Sequence, residues 1–348
     1  MRLSVIGSPR SGKTTLFTAL SGIAATTGQN RPAVAVIEVP DERVDRLSRI
    51  FRPKKTVYSR IEICDTESFH EGDMRNEAVP AGRLREMRLA DAFVVVLNRF
   101  DDAAGDGSSG FHTLLNEFMI ADMLQIEGRI ERIKKESGRR GPELEQEKAA
   151  LEQCLAHLER EPLRTMPLLR SDGKALKGFQ FLSQKPLMVV VNCSEDLMKE
   201  SAQAAAGVRT KLSGEAPVVA ACARLEAELA IMGADDRAAF MAEYGIAEPL
   251  KGSIIRLAYE TLGLVSFLTV GEDECRAWAI RRGMTTQEAA GTIHTDLAER
   301  FIRAETVAYD DFIAYGDFPA CKKAGVWRLE GKQYVVKDGD IISIRAGA

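Results

Sequence analysis

The stretch Gly7-Ser-Pro-Arg-Ser-Gly-Lys-Thr14 decides the fold, because it has the Gly-x-x-x-x-Gly-Lys-Thr spacing of a phosphate-binding loop. The run 2–6 before it alternates and predicts a buried strand, and the run 14–20 after it predicts a helix. In that context backbone N–H groups turn inward at a helix start and hold a polyphosphate. The alternative, a chance glycine turn, is disfavoured by the flanking strand and helix. The stretch predicts binding of a nucleoside triphosphate.

Two residues of this loop have separate predicted roles. We expect Lys13 to reach the β- and γ-phosphates and to act in catalysis, and the Thr14 hydroxyl to ligate Mg²⁺. The residues expected to contact the nucleotide here are Gly7, Ser8, Pro9, Arg10, Ser11, Gly12, Lys13, Thr14 and Thr15.

A second Mg²⁺ ligand is predicted at Asp65. This carboxylate ends the alternating run 56–64, which reads as one strand, and such folds place the metal carboxylate at a strand end about fifty residues after the loop. The alternative is that Asp65 only caps a turn. The string Asp65-Thr-Glu-Ser68 lacks the glycine of the usual Asp-x-x-Gly, whose N–H meets the γ-phosphate. Either Ser68 offers its own N–H or the γ-phosphate sensor is weakened.

Composition fits a soluble globular protein of two or three domains, with 348 residues, 45% apolar and 28% charged. The net charge of −4 gives no global attraction to nucleic acid, so we expect no DNA specificity and require a local patch for any RNA contact. The six cysteines form no C-x-x-C pair, which favours reduced thiols over a disulfide frame or a zinc site. No apolar run approaches the length of a membrane span, so we expect a cytoplasmic protein without membrane contact.

Three apolar runs, 92–97, 188–192 and 218–221, have the character of parallel strands buried on both faces. Alternating with helical stretches, they predict an α/β fold with a doubly wound, mostly parallel sheet. Between two of them, apolar residues spaced four and three apart on either side of a Ser-Gly-Arg-Arg-Gly-Pro break predict an inserted antiparallel helical hairpin. Its tip is basic, with Arg132, Lys134, Lys135, Arg139 and Arg140. Either this tip contacts a phosphate backbone or it is a solvated helix end.

The tail has a different pattern. Two short strands precede a helix opened by Thr285 with a capping box to Glu288, and a hairpin is predicted from strands 332–336 and 341–344 around the turn 337–340. These elements indicate a separate α+β domain. The predicted organisation is a P-loop domain over 1–115 and 180–262, a hairpin over 116–179 and a C-terminal domain over 263–348.

Base recognition is predicted at Asn192-Cys-Ser-Glu195, after a late strand. GTP-binding switches place Asn-Lys-x-Asp there, and the Asp accepts the N1 and N2 hydrogens of guanine. Glu195 moves that acceptor, so the geometry favours ATP over GTP. The alternative is that Asn192 and Glu195 cap the following turn.

These motifs resemble those of the YchF-type Obg-like ATPases, P-loop NTPases that carry a C-terminal TGS domain of β-grasp fold. The resemblance covers nearly the whole chain and is most specific in the tail, at 276–278, 290–296, 301–305, 308–312 and 327–331. It also includes Asn192, Glu195 and Cys222-Ala-Arg-Leu-Glu226, where the backbone of Cys222 and Ala223 is expected to line the base. The resemblance implies ATP hydrolysis with weaker GTP hydrolysis, no water-orienting Gln, and association with ribosomes.

The chain departs from the family pattern at several places. Arg10 replaces an Asn that sits near a monovalent cation in related proteins, and we hypothesise that its guanidinium supplies that charge. The alternative is that Arg10 points to solvent. The loop after Phe100 is trimmed where the family keeps a histidine, and His112 does not match it in register.

We therefore expect slow ATP hydrolysis, with the nucleotide state regulating association with a ribosome or RNA through the hairpin and the TGS domain. Two alternatives stay open: a nucleotide-stabilised binding module that does not hydrolyse, and a GTP-preferring switch.

Overall fold

The computed structural model describes residues 1–23, 33–66, 70–76, 79–100, 108–135, 142–167, 176, 178–212, 214 and 216–347. The chain divides into two compact units, one of Met1–Val36 with Glu62–Leu257 and one of Ile37–Ile61 with Ala258–Ala348. Residues 37–61 therefore group with the tail, whereas the sequence-based division assigns them to the P-loop domain. The three-domain division itself stays a prediction.

The first sheet contains, within the described ranges, six strands in the order β2-β4-β1-β5-β6-β7. Strand β1 pairs in parallel with β4 and β5, and β5-β6-β7 continue in parallel, which confirms the predicted α/β fold. Its strands are β1 (Arg2–Gly7), β2 (Ala33–Val39), β4 (Ser59–Asp65), β5 (Ala92–Arg99), β6 (Leu187–Cys193) and β7 (Val218–Ala221).

The helices that belong to this part of the chain follow or connect these strands. They are α1 (Lys13–Ser21), α3 (Ala81–Arg88), α4 (Ser108–Lys135), α5 (Pro142–Leu158), α6 (Ser201–Lys211), α7 (Ala223–Ile231), α8 (Ala234–Tyr244) and α9 (Leu250–Thr261), with 3₁₀ turns at Leu163–Thr165 and Glu195–Glu200. The side chains of β6 are buried along the whole strand, as its apolar run predicts for a strand covered on both faces.

The predicted helical hairpin is formed by α4 and α5. Helix α4 begins at Ser108, before residue 116, where the predicted hairpin insertion begins, because the first turns of the helix pack on the sheet. Its later apolar residues form a separate core with α5, which contains Ile126, Ile130, Ile133, Leu151, Cys154 and Leu158. An Arg129–Glu147 ion pair of 2.7 Å, with a second hydrogen bond of 2.9 Å, joins the two helices.

The second unit contains a mixed sheet of six described strands in the order β11-β10-β12-β8-β9-β3. Its strands are β3 (Lys55–Val57), β8 (Leu264–Val270), β9 (Glu274–Arg281), β10 (Phe301–Ala308), β11 (Arg328–Glu330) and β12 (Asp340–Ala346). Its helices are α2 (Glu42–Phe51), α10 (Thr286–Ile293), α11 (Thr295–Glu299), α12 (Tyr309–Tyr315) and α13 (Phe318–Lys323). The capping box predicted at Thr285 and Glu288 opens α10.

Two predicted elements are wrong. The run 56–64 is not one strand, because Tyr58 separates β3, which pairs with β9, from β4, which pairs with β1. The predicted hairpin of 332–336 with 341–344 does not form either. Residues 332–336 contribute only an isolated bridge from Val335 to Thr285 among the described residues, and β12 pairs instead with β10 and β8.

None of the helices in the described ranges is long and apolar enough to span a bilayer.

Candidate nucleotide-binding site

The loop between β1 and α1 has a backbone that glycine permits at two points. Gly7 has φ +156°, and a Cβ there would lie 2.5 Å from the carbonyl oxygen of Val96. Gly12 has φ +93°, and a Cβ there would lie 2.1 Å from Nδ2 of Asn192. Arg10 also has a positive φ, 58°, a strained conformation of the kind that clusters at functional sites. The spacing of the motif is thus matched by backbone geometry.

Helix α1 begins directly on this loop. Gly12 is its N-cap and supplies no side-chain cap, and the backbone N–H groups and helix dipole at such a helix start attract anions. Ser8, Pro9, Arg10, Thr14 and Thr15 are exposed around this start. Ser11 is fully buried, and no hydrogen-bond partner for its Oγ is found in the described part of the chain. The geometry suits an anionic ligand.

The side chain of Lys13 turns back so that its ammonium contacts the backbone of the loop. Its Nζ donates to the carbonyl oxygen of Ser8 at 2.7 Å, and the residue is 6% exposed. Burial lowers the pKa of Lys13 to about 8, Asp65 opposes the shift, and the positive charge of Arg83 adds to it. A polyanion beside this ammonium would stabilise its charged form.

Thr14 and Asp65, the two predicted metal ligands, lie in contact. Thr14 Oγ1 donates to Asp65 Oδ2 at 2.8 Å. Asp65 Oδ1 is buried and has no hydrogen-bond partner among the described residues, and burial raises the pKa of this carboxyl. Mg²⁺ takes oxygen ligands and often only one or two carboxylates together with substrate phosphates. An unpaired buried carboxylate oxygen beside a hydroxyl fits that ion.

Strand pairing holds Asp65 in this place. Its backbone is in register with Val5 of the parallel strand β1, and the next residue, Thr66, donates from Oγ1 to the Val5 carbonyl oxygen at 2.6 Å. The carboxyl ends of parallel strands meet at one edge of the sheet, which is where open α/β sheets bind ligands.

Asn192 lies at the same edge and joins two segments. Its Nδ2 donates to the Ser11 carbonyl oxygen at 2.9 Å, and its Oδ1 accepts from the Ala223 N–H at 2.9 Å. Asn192 is 5% exposed, and Cys222 and Ala223 are also buried. The structure therefore brings the predicted base-binding residues together with the phosphate loop.

Glu195 is placed differently. It begins the 3₁₀ turn after β6, its side chain is 29% exposed, and its carboxylate forms an ion pair with Arg224 of α7. No side-chain cap is formed at this turn, which starts after Ser194. The carboxylate that sequence reasoning assigned to base recognition is thus engaged by a cation that the sequence did not single out.

Two further residues of the site were missed from sequence. Phe100 follows β5 and is 44% exposed; its ring edge lies 3.9 Å from the position of a Cβ on Gly12. Arg83 of α3 is near enough to depress the pKa of Lys13. An aromatic residue at the end of the central apolar run was a usable signal for Phe100. The sequence held none for Arg83, because 70 positions that include three strands and helix α2 separate it from Lys13.

Some sequence expectations fall outside the described residues. Ser68 is one, and so are Arg139 and Arg140 of the hairpin tip. Arg132, Lys134 and Lys135 are described, and all three are exposed at the end of α4. His112 is exposed on α4.

Comparison with known proteins points in one direction. Residues 264–347 match the family model YchF-GTPase_C, described as a protein of unknown function (DUF933). A "Ribosome-binding ATPase YchF" of Bacillus subtilis (strain 168) is 35% identical, with 98% of each chain covered. The protein of the same description from Escherichia coli O157:H7 is 33% identical, again with 98% of each covered.

Solved structures agree. The Schizosaccharomyces pombe YchF GTPase superposes with a TM-score of 0.81 at 26% identity, over 99% of this chain and 97% of that one. A GTP-binding protein from Pyrococcus horikoshii OT3, 16% identical, shares the fold with a TM-score of 0.61 over 100% of both chains. Because full-length relatives exceed 30% identity and carry the same description, the chain belongs to the YchF family of P-loop proteins.

Proposed function

We propose that the protein is a slow nucleoside triphosphatase that prefers ATP to GTP and whose nucleotide state regulates association with the ribosome. The observation that carries the proposal is the contact of Thr14 with Asp65, whose second oxygen has no hydrogen-bond partner within the described ranges, beside the buried ammonium of Lys13. Relatives described as ribosome-binding ATPases support the choice of substrate and partner. A role at the ribosome places the protein in the cytoplasm.

In this proposal Thr14 and Asp65 hold Mg²⁺, which when bound neutralises phosphate charge. The uncapped start of α1 and the loop N–H groups bind the phosphates, and Lys13 places an ammonium against the β- and γ-phosphates. Such catalysis rests on position and charge rather than on a protein base. The missing glycine at Ser68 is the reason to expect slow turnover.

The preference for ATP is supported by the engagement of Glu195. Arg224 engages Oε1 of Glu195, which leaves this carboxylate fewer acceptor sites for the N1 and N2 hydrogens that distinguish guanine. Cys222 and Ala223 present backbone groups next to Asn192, and the exposed ring of Phe100 offers an apolar face near the loop. In this proposal the backbone of Cys222 and Ala223 and the ring of Phe100 contact the purine base, and none of these contacts depends on the groups that only guanine has.

Association with the ribosome is proposed through the hairpin and the C-terminal domain. The end of α4 presents three exposed cationic side chains, Arg132, Lys134 and Lys135. In this proposal they bind phosphate groups of rRNA by electrostatic attraction. Reversing all three charges should weaken ribosome cosedimentation and flatten its dependence on salt concentration. Equal binding of the triple variant at every salt concentration would assign ribosome contact to another surface.

The experiment that tests hydrolysis measures phosphate release in a single turnover with ATP and Mg²⁺, alongside calorimetric binding of ATP and GTP. We expect Lys13→Ala to lose binding, and Asp65→Asn to keep weakened binding while release falls at least 100-fold. Asp310→Asn, an exposed change of the same kind, is the control. Binding without release above the buffer rate would instead identify a non-hydrolysing module. GTP binding at least tenfold tighter than ATP binding would identify a GTP switch.

A further inference from the structure

Glu117 of α4 is a buried carboxylate with two backbone partners. Its Oε1 accepts from the Gly72 N–H at 2.8 Å, and its Oε2 accepts from the Met74 N–H at 2.9 Å. The residue is 3% exposed. A carboxylate this deeply buried is stable only when charge-assisted hydrogen bonds replace its lost water. The two N–H groups do so, and they bind both oxygens of the carboxylate at once.

Both N–H groups belong to the 70–76 segment, which begins five residues after Asp65. The segment is folded on itself, since Asn76 N–H donates to the Gly72 carbonyl oxygen at 3.0 Å. Gly72 has φ +86°, a conformation that suits glycine. The Met74 side chain lies in the core of the sheet domain. The segment is therefore held against α4 by one apolar side chain and one bidentate carboxylate.

Helix α4 also meets the phosphate loop and the hairpin. Near its start, a Cβ on Gly110 would lie 3.1 Å from Ser8 Oγ. Beyond Glu117 the same helix contributes Ile126 and Ile130 to the hairpin core. It is one continuous element of 28 residues, so about 27 Å of helix separate Glu117 from Lys135.

We propose that Glu117 is the positioning residue that fixes the 70–76 segment, which follows Asp65 in the chain, and passes the position of that segment along α4 to the helical hairpin. The proposal rests on the proposed function, because it names how the nucleotide state of that site reaches a distant surface.

The physical basis is the cost of separating the two elements. If the 70–76 segment moved alone, two charge-assisted hydrogen bonds would break and leave a buried carboxylate unpaired. The segment and α4 therefore move as one body, and a continuous helix carries the displacement to its far end. Lys13, Thr14 and Asp65 are held by other contacts. Glu117 consequently affects turnover and hairpin response rather than nucleotide affinity.

The test compares Glu117→Gln with Glu127→Gln, which makes the same change at an exposed position of α4. An amide accepts one of the two N–H bonds and opposes the other with its NH₂ group. We expect Glu117→Gln to slow single-turnover phosphate release at least tenfold while the Kd for ATP changes less than twofold. Glu127→Gln should leave both quantities within twofold. Should Glu117→Gln not fold, Glu117→Asp, which withdraws the carboxylate by one methylene, should give the same split.

Hydrogen exchange supplies a readout that is independent of activity. In the full-length protein without nucleotide, Glu117→Gln should speed amide exchange in the 70–76 segment at least tenfold, with no change for Glu127→Gln. With the wild type, exchange in residues 126–135 should differ between ADP and a non-hydrolysable ATP analogue. That difference should disappear in Glu117→Gln.

Three outcomes overturn the proposal. If Glu117→Gln matches Glu127→Gln in segment exchange, Glu117 does not position the segment. If its ATP affinity and release rate fall together, its role is general stability. If the segment responds but residues 126–135 still report the nucleotide, the helix does not transmit the change. A wild type that binds no ATP would end the proposed function, and exchange in the 70–76 segment would still decide the positioning role.

Discussion

The side-chain amide of Asn192 donates to the backbone carbonyl oxygen of Ser11 at 2.9 Å, which ties the end of β6 to the phosphate loop. The same amide accepts from Ala223 N–H, so one side chain holds two segments. We expect Asn192→Ala to lower the free energy of unfolding by about 2–3 kcal/mol, because a buried acceptor and a buried donor lose their partner. Urea unfolding of the nucleotide-free protein measures this. Asn116→Ala, at an exposed position of α4, should stay within about 0.5 kcal/mol; an equally small effect at Asn192 would contradict the prediction.

Replacement of Gly12 separates backbone strain from displacement of a neighbour. Gly12→Ala meets both a φ of +93° and Nδ2 of Asn192, whereas Gly22→Ala meets a φ of +70° with no atom of the described residues within 4 Å. We expect Gly22→Ala to lower the free energy of unfolding by about 1 kcal/mol and Gly12→Ala to lower it clearly more. Only Gly12→Ala should lose ATP binding. Thermal melts and calorimetry measure the two effects. An equal loss of unfolding free energy in the two variants would show that the Asn192 side chain moves away from the new methyl group without a measurable penalty.

The lowered pKa of Lys13 predicts that the free energy of unfolding rises with pH while the affinity for ATP falls. Its folded pKa is about 8, below the ordinary 10.5, so the buried charge destabilises the fold fully below pH 8, and this penalty is relieved as pH rises from 8 toward 10.5. Relative to Lys13→Met, the wild type should gain about 1–2 kcal/mol of unfolding free energy between pH 7.5 and 9.5. ATP affinity should fall about tenfold or more over the same interval, because the ammonium that meets the phosphates is lost. Urea unfolding and calorimetry at both pH values check these trends. A pH-independent difference between wild type and variant would mean that Lys13 does not titrate there.

Arg224 forms an ion pair with Glu195, which the proposed function links to base preference. We expect Arg224→Ala to raise the ratio of GTP affinity to ATP affinity about tenfold, equal to about 1.4 kcal/mol, because the freed carboxylate accepts guanine hydrogens. Arg224→Lys keeps a cation beside Glu195 and should leave the ratio within twofold. Competition titration with both nucleotides decides the matter. An unchanged ratio in Arg224→Ala would remove Glu195 from base recognition.

Arg10 tests whether a side chain replaces a monovalent cation. Arg10 is exposed on the loop with a positive φ, and we expect its guanidinium to make the wild-type hydrolysis rate insensitive to potassium. Arg10→Asn should lower the rate in sodium and restore it several-fold in potassium. Phosphate release in matched sodium and potassium buffers measures both proteins. Several-fold stimulation of the wild type by potassium would contradict this role.

The sequence predicted those parts of the fold that depend on local pattern. The loop 7–14, the apolar strands and the capping box of Thr285 each carry their signal within a few residues. The break at Tyr58 was missed because alternation runs through it, while the partner of β3 lies 219 positions away, Lys55 facing Glu274. The strand pairing of β12 was misassigned because a good turn signal suggested a local partner.

In the candidate site, too, local sequence signals could be predicted and contacts between distant segments could not. The sequence singles out Lys13 and Thr14 by the loop motif and Asp65 by its place at a strand end, and the structure brings the three together. Glu117 was missed because its partners are backbone N–H groups, which no side-chain pattern reveals. The ion pair of Glu195 with Arg224 needs the turn and helix that follow two different strands.

Helix α2 supplies Val44 and Leu47 to the core that also holds Leu268, Val307 and Phe312 of the tail. A recombinant fragment starting at residue 263 would therefore expose the apolar surface that α2 covers and lose the edge strand β3. A truncation after residue 262 would leave α2 with its apolar face in water. Any exchange of C-terminal domains between relatives has to carry residues 37–61 with it, although about 200 positions separate them from the tail.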